Sequence, residues 1–224
     1  VTLFPEMFPG TLGYSVLGRA LQNKLWSIET INLRDFGIGK HKDVDDTPSG
    51  GGAGMVLRAD VIDNALISAT QNLNIQEQEW PIINLSPRGQ PLSQKVSEGL
   101  ANKNGIIILC GRFEGIDERV INKWRMQEIS LGDFILTGGE IAAQALIDSV
   151  VRNIPNVLGN ELSITTESFN GGLLEHPQYT KPSDWNGQKV PEVLLSGDHA
   201  KIKQWRNNKA IEITKKRRPD LLPK

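Results

Sequence analysis

A chain of 224 residues, 38% hydrophobic and 23% charged, is long enough for one large domain or two unequal ones with a buried core. Its formal charge of −1 on its face argues against a nucleic-acid partner, although distribution matters more than the sum, and no apolar run reaches the length of a membrane-spanning helix. The single cysteine, Cys110, excludes an internal disulfide and suits a reducing compartment. Strands are expected at 1–3 and 28–33, with a helix between them at 15–24. A helix at 58–73, a strand at 82–85 and a helix at 92–103 follow. The stretch GIIILC, 105–110, is continuously apolar and rich in β-branched residues, the pattern of a strand covered on both faces. A helix at 116–123, a strand at 127–131 and a helix at 140–154, stopped by Pro155, complete the alternation. Strand and helix alternating in this way predict an α/β fold with a mostly parallel sheet and helices on both faces.

Beyond Pro155 the periodicity is lost. The stretch 156–197 carries Pro177, Pro182 and Pro191 among several glycines. Asp198 then caps a helix expected to run to about residue 216. The domains read as an α/β domain over 1–158, a linker over 159–197 and a small helical basic domain over 198–224. Within 201–218, KIKQWRNNKAIEITKKRR, eight residues are Lys or Arg and only Glu212 is acidic. A solvated helix face and a localised phosphate-binding surface both fit such a run.

In parallel α/β sheets ligands bind at the carboxyl ends of the strands. Three expected strand ends carry glycine-bearing loops: LSPRGQPLS (85–93), CGRFEGIDER (110–119) and SLGDFILTGGE (130–140). Glycine lets backbone approach a ligand, and free main-chain groups can then bond it. A glycine after a strand is also an ordinary turn, but three at one sheet edge point to a composite pocket. No G-x-G-x-x-G or G-x-x-x-x-G-K-[ST] pattern accompanies them. His41, His176 and His199 are far apart and form no zinc constellation with Cys110, which ends an apolar strand and reads as core.

Eight motifs carry a resemblance: LFPEMF, RDF, VDDTPSGGGAGM, LSPRG, CGRFEGIDER, GDFILTGGE, LIDSVVRNIPNVLG and VLLSGDHAKIKQWR. In that order, from the first residues to RRPDLL, the sequence resembles the bacterial tRNA (guanine-37-N1)-methyltransferases, the TrmD family. The resemblance implies a SPOUT-type fold with a deep trefoil knot, which periodicity does not suggest and general topology disfavours. It also implies a cytoplasmic homodimer with its active site at the subunit interface, and S-adenosylmethionine held in the three loops. A neutral adenosine with an amino-acid tail needs no pyrophosphate cradle.

By position, the resemblance assigns cofactor contacts to Leu85, Ser86 and Pro87, and to Gly111, Phe113, Glu114 and Gly115. The third loop adds Ser130, Leu131, Gly132, Asp133, Phe134, Ile135, Leu136, Gly138 and Gly139. Core packing would equally account for Leu131, Ile135 and Leu136. Asp45, Asp46, Gly54 and Met55, otherwise a flexible acidic surface loop, would shape the guanine pocket and contact the anticodon loop. Ser49 and Ala53 stand where relatives carry an aromatic residue and a proline. Lys203, Arg206, Lys209, Arg217 and Arg218 would hold tRNA phosphates. Magnesium is used within the family, but no carboxylate cluster here identifies a ligand set.

N1 of guanine is protonated at neutral pH, so methylation needs a base at N1 and a cation near O6. The resemblance assigns Arg152 to O6, where a helix C-terminal arginine complementing the dipole is the plainer alternative. It assigns the base to Glu167 in TTESF, where relatives usually carry aspartate. Two rival readings remain: a Rossmann-type nucleotide-dependent oxidoreductase, and a non-catalytic RNA-binding module with a vestigial cofactor pocket.

Overall fold

In the computed structural model, which describes residues 1–71, 73, 80–159 and 167–222, the apolar stretches of the amino-terminal half fold as a parallel α/β sheet. Helix α1 (Ser15–Gln22) turns Leu17, Gly18 and Ala20 inward. Strands β1 (Asp45–Asp46) and β2 (Val56–Leu57) pair antiparallel across the glycine-rich turn. Helix α2 (Ala59–Thr70) buries Val61, Ile62, Ala65 and Leu66, one stripe at helical spacing. It stops short of the expected 73, and residue 72 lies outside the described residues.

The sheet proper has the order β4–β3–β5, all parallel, from β3 (Ile82–Pro91), β4 (Ile107–Cys110) and β5 (Gln127–Ser130). Helix α3 (Gln94–Ala101) follows β3, with the Ser93 side chain accepting from the Val96 amide at 3.4 Å. Helix α4 (Glu118–Lys123) follows β4, capped by Asp117, which accepts from the Arg119 amide at 2.9 Å. Helix α5 (Gly139–Val151) follows β5. Ile107 and Leu109 pack in one core with α2 and α4, whereas Cys110 joins Ile83, Leu85, Ile129 and Leu146 in another. Alternate residues of β4 thus enter cores on opposite faces, which is why that stretch is apolar without interruption.

The strands expected at 1–3 and 28–33 reduce to a parallel bridge between Thr2 and Asn32. The Cys110 amide donates to the Val1 carbonyl at 3.0 Å, so this segment still lines the outer edge of β4. Strand β3 runs to Pro91 rather than ending at 85, but its register breaks: Leu85 and Gln90 both stand opposite Ile129. Residues 86–89 are therefore looped out of the sheet. Gly89 re-enters against β5 so closely that any Cβ there would run into the Glu128–Ile129 backbone.

The chain divides into two compact units, Val1–Gly159 and Asn160–Lys224. Residues 160–166 of the expected linker, and 223 and 224, lie outside the described residues. The second unit holds the hairpin β6 (Asp184–Trp185) and β7 (Gln188–Lys189), helix α6 (Glu192–Leu195) and the long helix α7 (His199–Arg217). Asp198 caps α7 by accepting from the Lys201 amide at 3.1 Å. Thr214, fully buried, accepts from the Leu174 amide at 2.8 Å and donates to the Ala210 carbonyl at 2.7 Å. The aperiodic stretch is thereby fastened to the helix that follows it.

Candidate functional site

At the carboxyl ends of β3, β4 and β5 the three glycine-bearing loops enclose one cavity of about 390 Å³. Its first wall is the looped-out part of β3, with Leu85, Ser86 and Pro87. The second is the turn after β4, where Gly111, Phe113, Glu114 and Gly115 line the space. Phe113 adopts a left-handed backbone at φ 59°, a strained conformation for an aromatic residue, at a lip where its ring is half exposed. The Glu114 amide donates to the Met55 carbonyl at 2.9 Å, and the Leu57 amide donates to the Gly115 carbonyl at 3.0 Å.

The third wall follows β5. Ser130 Oγ accepts from the Gly132 amide and donates to the Gly132 carbonyl, both at 3.1 Å, closing a turn at Gly132 with φ 153°. Gly132, Leu131, Phe134, Ile135 and Leu136 then border the cavity. Ile135 is 79% exposed, which excludes core packing as its reason for being apolar. Leu131, by contrast, is partly buried and packs against the core that holds Leu85, Cys110 and Ile129, as the core-packing alternative has it for that residue. Asp133 is exposed and is absent from the cavity wall.

The floor is where helix α5 begins. Gly139 donates its amide to the Gly111 carbonyl at 2.9 Å, and Gly138 bridges to Arg112. A Cβ on Gly139 would lie 2.7 Å from Cys110 Cα, so only glycine lets helix and strand end approach so closely. Burial pushes the Cys110 thiol up to about 12, the state of an inert core residue rather than a nucleophile.

Arg112 and Glu140 were not singled out from the sequence, although both stand inside quoted motifs. Arg112 lines the cavity; its Nη2 lies 2.8 Å from Glu140 Oε2 and its Nη1 donates to the Thr137 carbonyl at 3.2 Å. Glu140, 1% exposed, also accepts from Thr2 Oγ1 at 2.8 Å. The Arg112 guanidinium sits 4.4 Å from the centre of the Phe4 ring. This network ties the amino-terminal segment, the second loop and the third loop together. An arginine two residues past a strand and a glutamate at a helix start are too common alone to signal such a pair. Asn84 was likewise missed: it is buried, lines the cavity and donates to Glu128 Oε1 at 3.1 Å.

The glycine-rich turn of 45–55 is the exposed loop of a hairpin, since β1 and β2 pair at its base and Gly50, Gly51, Gly52 and Gly54 supply its positive φ angles. Asp45 and Asp46 lie on β1, and Asp46 pairs with Arg58 at 3.6 Å. Gly54 packs against the Glu114 side chain, so the turn reaches the second loop.

Arg152 caps the carboxyl end of α5 in the first unit, and half-buried Glu167 belongs to the second. On α7, Lys203, Arg206 and Arg217 are exposed, but Lys209 pairs with Glu212 at 2.6 Å, and just past the helix Arg218 pairs with Asp220 at 2.6 Å. The basic run is thus partly neutralised. Among the described residues no group of three or more His, Cys, Asp or Glu is placed to hold a metal ion, and no helix is long and apolar enough to cross a membrane.

Fold and cavity define an α/β protein with a compact cavity at the carboxyl ends of its parallel strands, where ligands of such sheets bind, and without a phosphate-cradling fingerprint. The family profile described as "tRNA (Guanine-1)-methyltransferase TrmD" matches residues 1–224. A protein of Ruegeria sp. (strain TM1040) is 59% identical over 221 residues, covering 99% of this chain and 89% of the relative. One from Cereibacter sphaeroides (strain KD131 / KCTC 12085) is 58% identical with the same coverage, and one from Rhizobium johnstonii is 50% identical over 100% of this chain and 90% of its own. All three carry the name "tRNA (guanine-N(1)-)-methyltransferase". The chain belongs to the TrmD family of tRNA (guanine-1)-methyltransferases.

Proposed function

We propose that this chain transfers the methyl group of S-adenosylmethionine to N1 of guanine 37 in tRNA, next to the anticodon. The observation that carries the reading is the cavity: three separate loops of a chain matched by the TrmD family profile over residues 1–224 converge there, with glycines where the backbone must come close. Its mixed lining fits a nucleoside with an amino-acid tail, with aromatic and aliphatic side chains at Phe113, Phe134, Ile135 and Leu136 beside backbone donors and acceptors. In this reading the segments around the cavity thread as a trefoil knot.

Bound S-adenosylmethionine would supply a methyl group on a sulfonium, electrophilic enough to be taken in one displacement. The chain's own residues have to prepare the guanine. Glu167 accepts the N1 proton as the nitrogen lone pair turns toward the methyl carbon, and Arg152 stabilises the charge that grows on O6. The loops hold the donor in line, and that positioning is a large part of what a displacement needs. The hairpin of Asp45, Asp46, Gly54 and Met55 borders the guanine, and exposed cations of α7 hold the anticodon stem.

A homodimer is part of the same proposal. Phe113, Phe134, Ile135 and Ile141 are each more than half exposed around the cavity and the start of α5, an apolar surface of the kind that mates with another chain. The site is then completed by a second copy bringing its Glu167. The test is mass spectrometry of unmethylated tRNA transcripts incubated with the protein and S-adenosylmethionine. One added methyl at guanine 37, blocking Watson–Crick pairing there, is expected; tRNA recovered unchanged would overturn the reading.

A further inference from the structure

The second unit holds a cavity of its own, remote in sequence from the three loops. It encloses about 270 Å³ and is lined by Tyr179, Lys181, Leu194, Leu195, Trp205 and Arg206 among others. Tyr179 and Trp205 meet edge to face, with ring centres 6.0 Å apart and planes at 63°. That arrangement leaves ring surface uncovered, and Tyr179 remains 48% exposed. Lys181 and Arg206 are the charged residues of the lining, both cationic, so among the described residues the wall joins planar aromatic faces to positive charge with no carboxylate in it.

We infer that this cavity receives one unstacked nucleotide of the RNA substrate, the base lying against Tyr179 and Trp205 and its phosphate near Lys181 and Arg206. Aromatic platforms beside cations are how proteins hold single-stranded nucleotides, because every base has a π-face and every linkage a charge. The volume falls just below the roughly 300–1,000 Å³ of pockets for larger ligands, which suits one ring system rather than a free cofactor. Charge complementarity selects RNA over a peptide: Arg206 continues onto the exposed cations Lys203 and Arg217 of α7. The inference rests on the proposed tRNA substrate and extends it, since neither ring belongs to the expected phosphate-binding set.

The test measures binding of an unmethylated tRNA transcript to the full chain, with 2-aminopurine placed singly at each unpaired anticodon-loop position. Tyr179→Ala is expected to weaken binding by about tenfold, the loss of one stacked base, while Tyr179→Phe retains it because stacking needs the ring and not the hydroxyl. Quenching of 2-aminopurine at one loop position should disappear in the alanine variant alone, with S-adenosylmethionine affinity unchanged. Equal affinity and equal quenching in wild type and Tyr179→Ala overturn the inference. So does a change of oligomeric state without a change in RNA affinity, which would make the cavity a contact between copies. Wild-type methylation of the same transcript is scored separately, so failure of the pocket and failure of the proposed function are distinguishable.

Discussion

Glu140 is almost wholly enclosed, and its counter-charge Arg112 is 19% exposed at the side chain. Glu140→Gln keeps the shape and the acceptor for Thr2 Oγ1 but leaves the guanidinium facing a neutral amide. Removing one partner of a buried ion pair costs about 3–5 kcal/mol, because the remaining charge stays desolvated. Arg112 retains the Thr137 carbonyl and the Phe4 ring and reaches some solvent, so the lower end applies, about 3 kcal/mol. For a unit of this size each kcal/mol shifts the melting temperature by about 2–4 °C, giving a fall of about 6–12 °C. Arg112→Met combined with Glu140→Gln removes both charges and should recover most of that loss, since neutral replacement of a buried pair is close to stability-neutral. Thermal melting of the wild type and the single and double variants, followed by circular dichroism, checks both steps. A single variant melting like wild type would show that the pair adds nothing. A double variant as unstable as the single one would show that the stranded charge is not the cause.

Gly139→Val should destroy S-adenosylmethionine binding measured by isothermal titration, because its Cβ would overlap the Cys110–Gly111 backbone that forms the cavity floor; a folded variant with wild-type affinity would misplace the site. The Cys110 thiol, raised by burial from 9.0 to about 12, makes the native protein resist iodoacetamide at pH 8, and prompt alkylation seen by mass spectrometry would contradict that burial. The same shift has a definite sign: the fold favours the neutral thiol, so this contribution to stability is present below pH 9 and is lost as pH rises toward 12. Glu167→Gln should keep both ligands bound while single-turnover methylation collapses, and Glu167→Asp should retain substantial activity; a glutamine variant reacting at the wild-type rate across pH would pass the role to Asp46 or Glu175.

Local chemistry made much of this protein legible in its residues. The unbroken apolar run at 105–110 announces a strand with both faces covered, and Asp198 and Ser93 start helices because their side chains satisfy first-turn amides. The three glycine-bearing loops were readable as one pocket because parallel strands bring their carboxyl ends to one edge. Tertiary structure decided what no spacing encodes. The doubled pairing of Leu85 and Gln90 with Ile129 loops residues 86–89 out of a sheet that sequence alone ends at 85. The Arg112–Glu140–Thr2 network joins residues as many as 138 positions apart, and only packing brings such groups out of water together. The stretch after Pro155 lacks periodicity, yet Thr214 fastens it to α7 by a single buried hydroxyl. Periodicity reports which face of an element is apolar; it says nothing about which distant backbone will arrive beside it, and that arrival is what shapes both cavities.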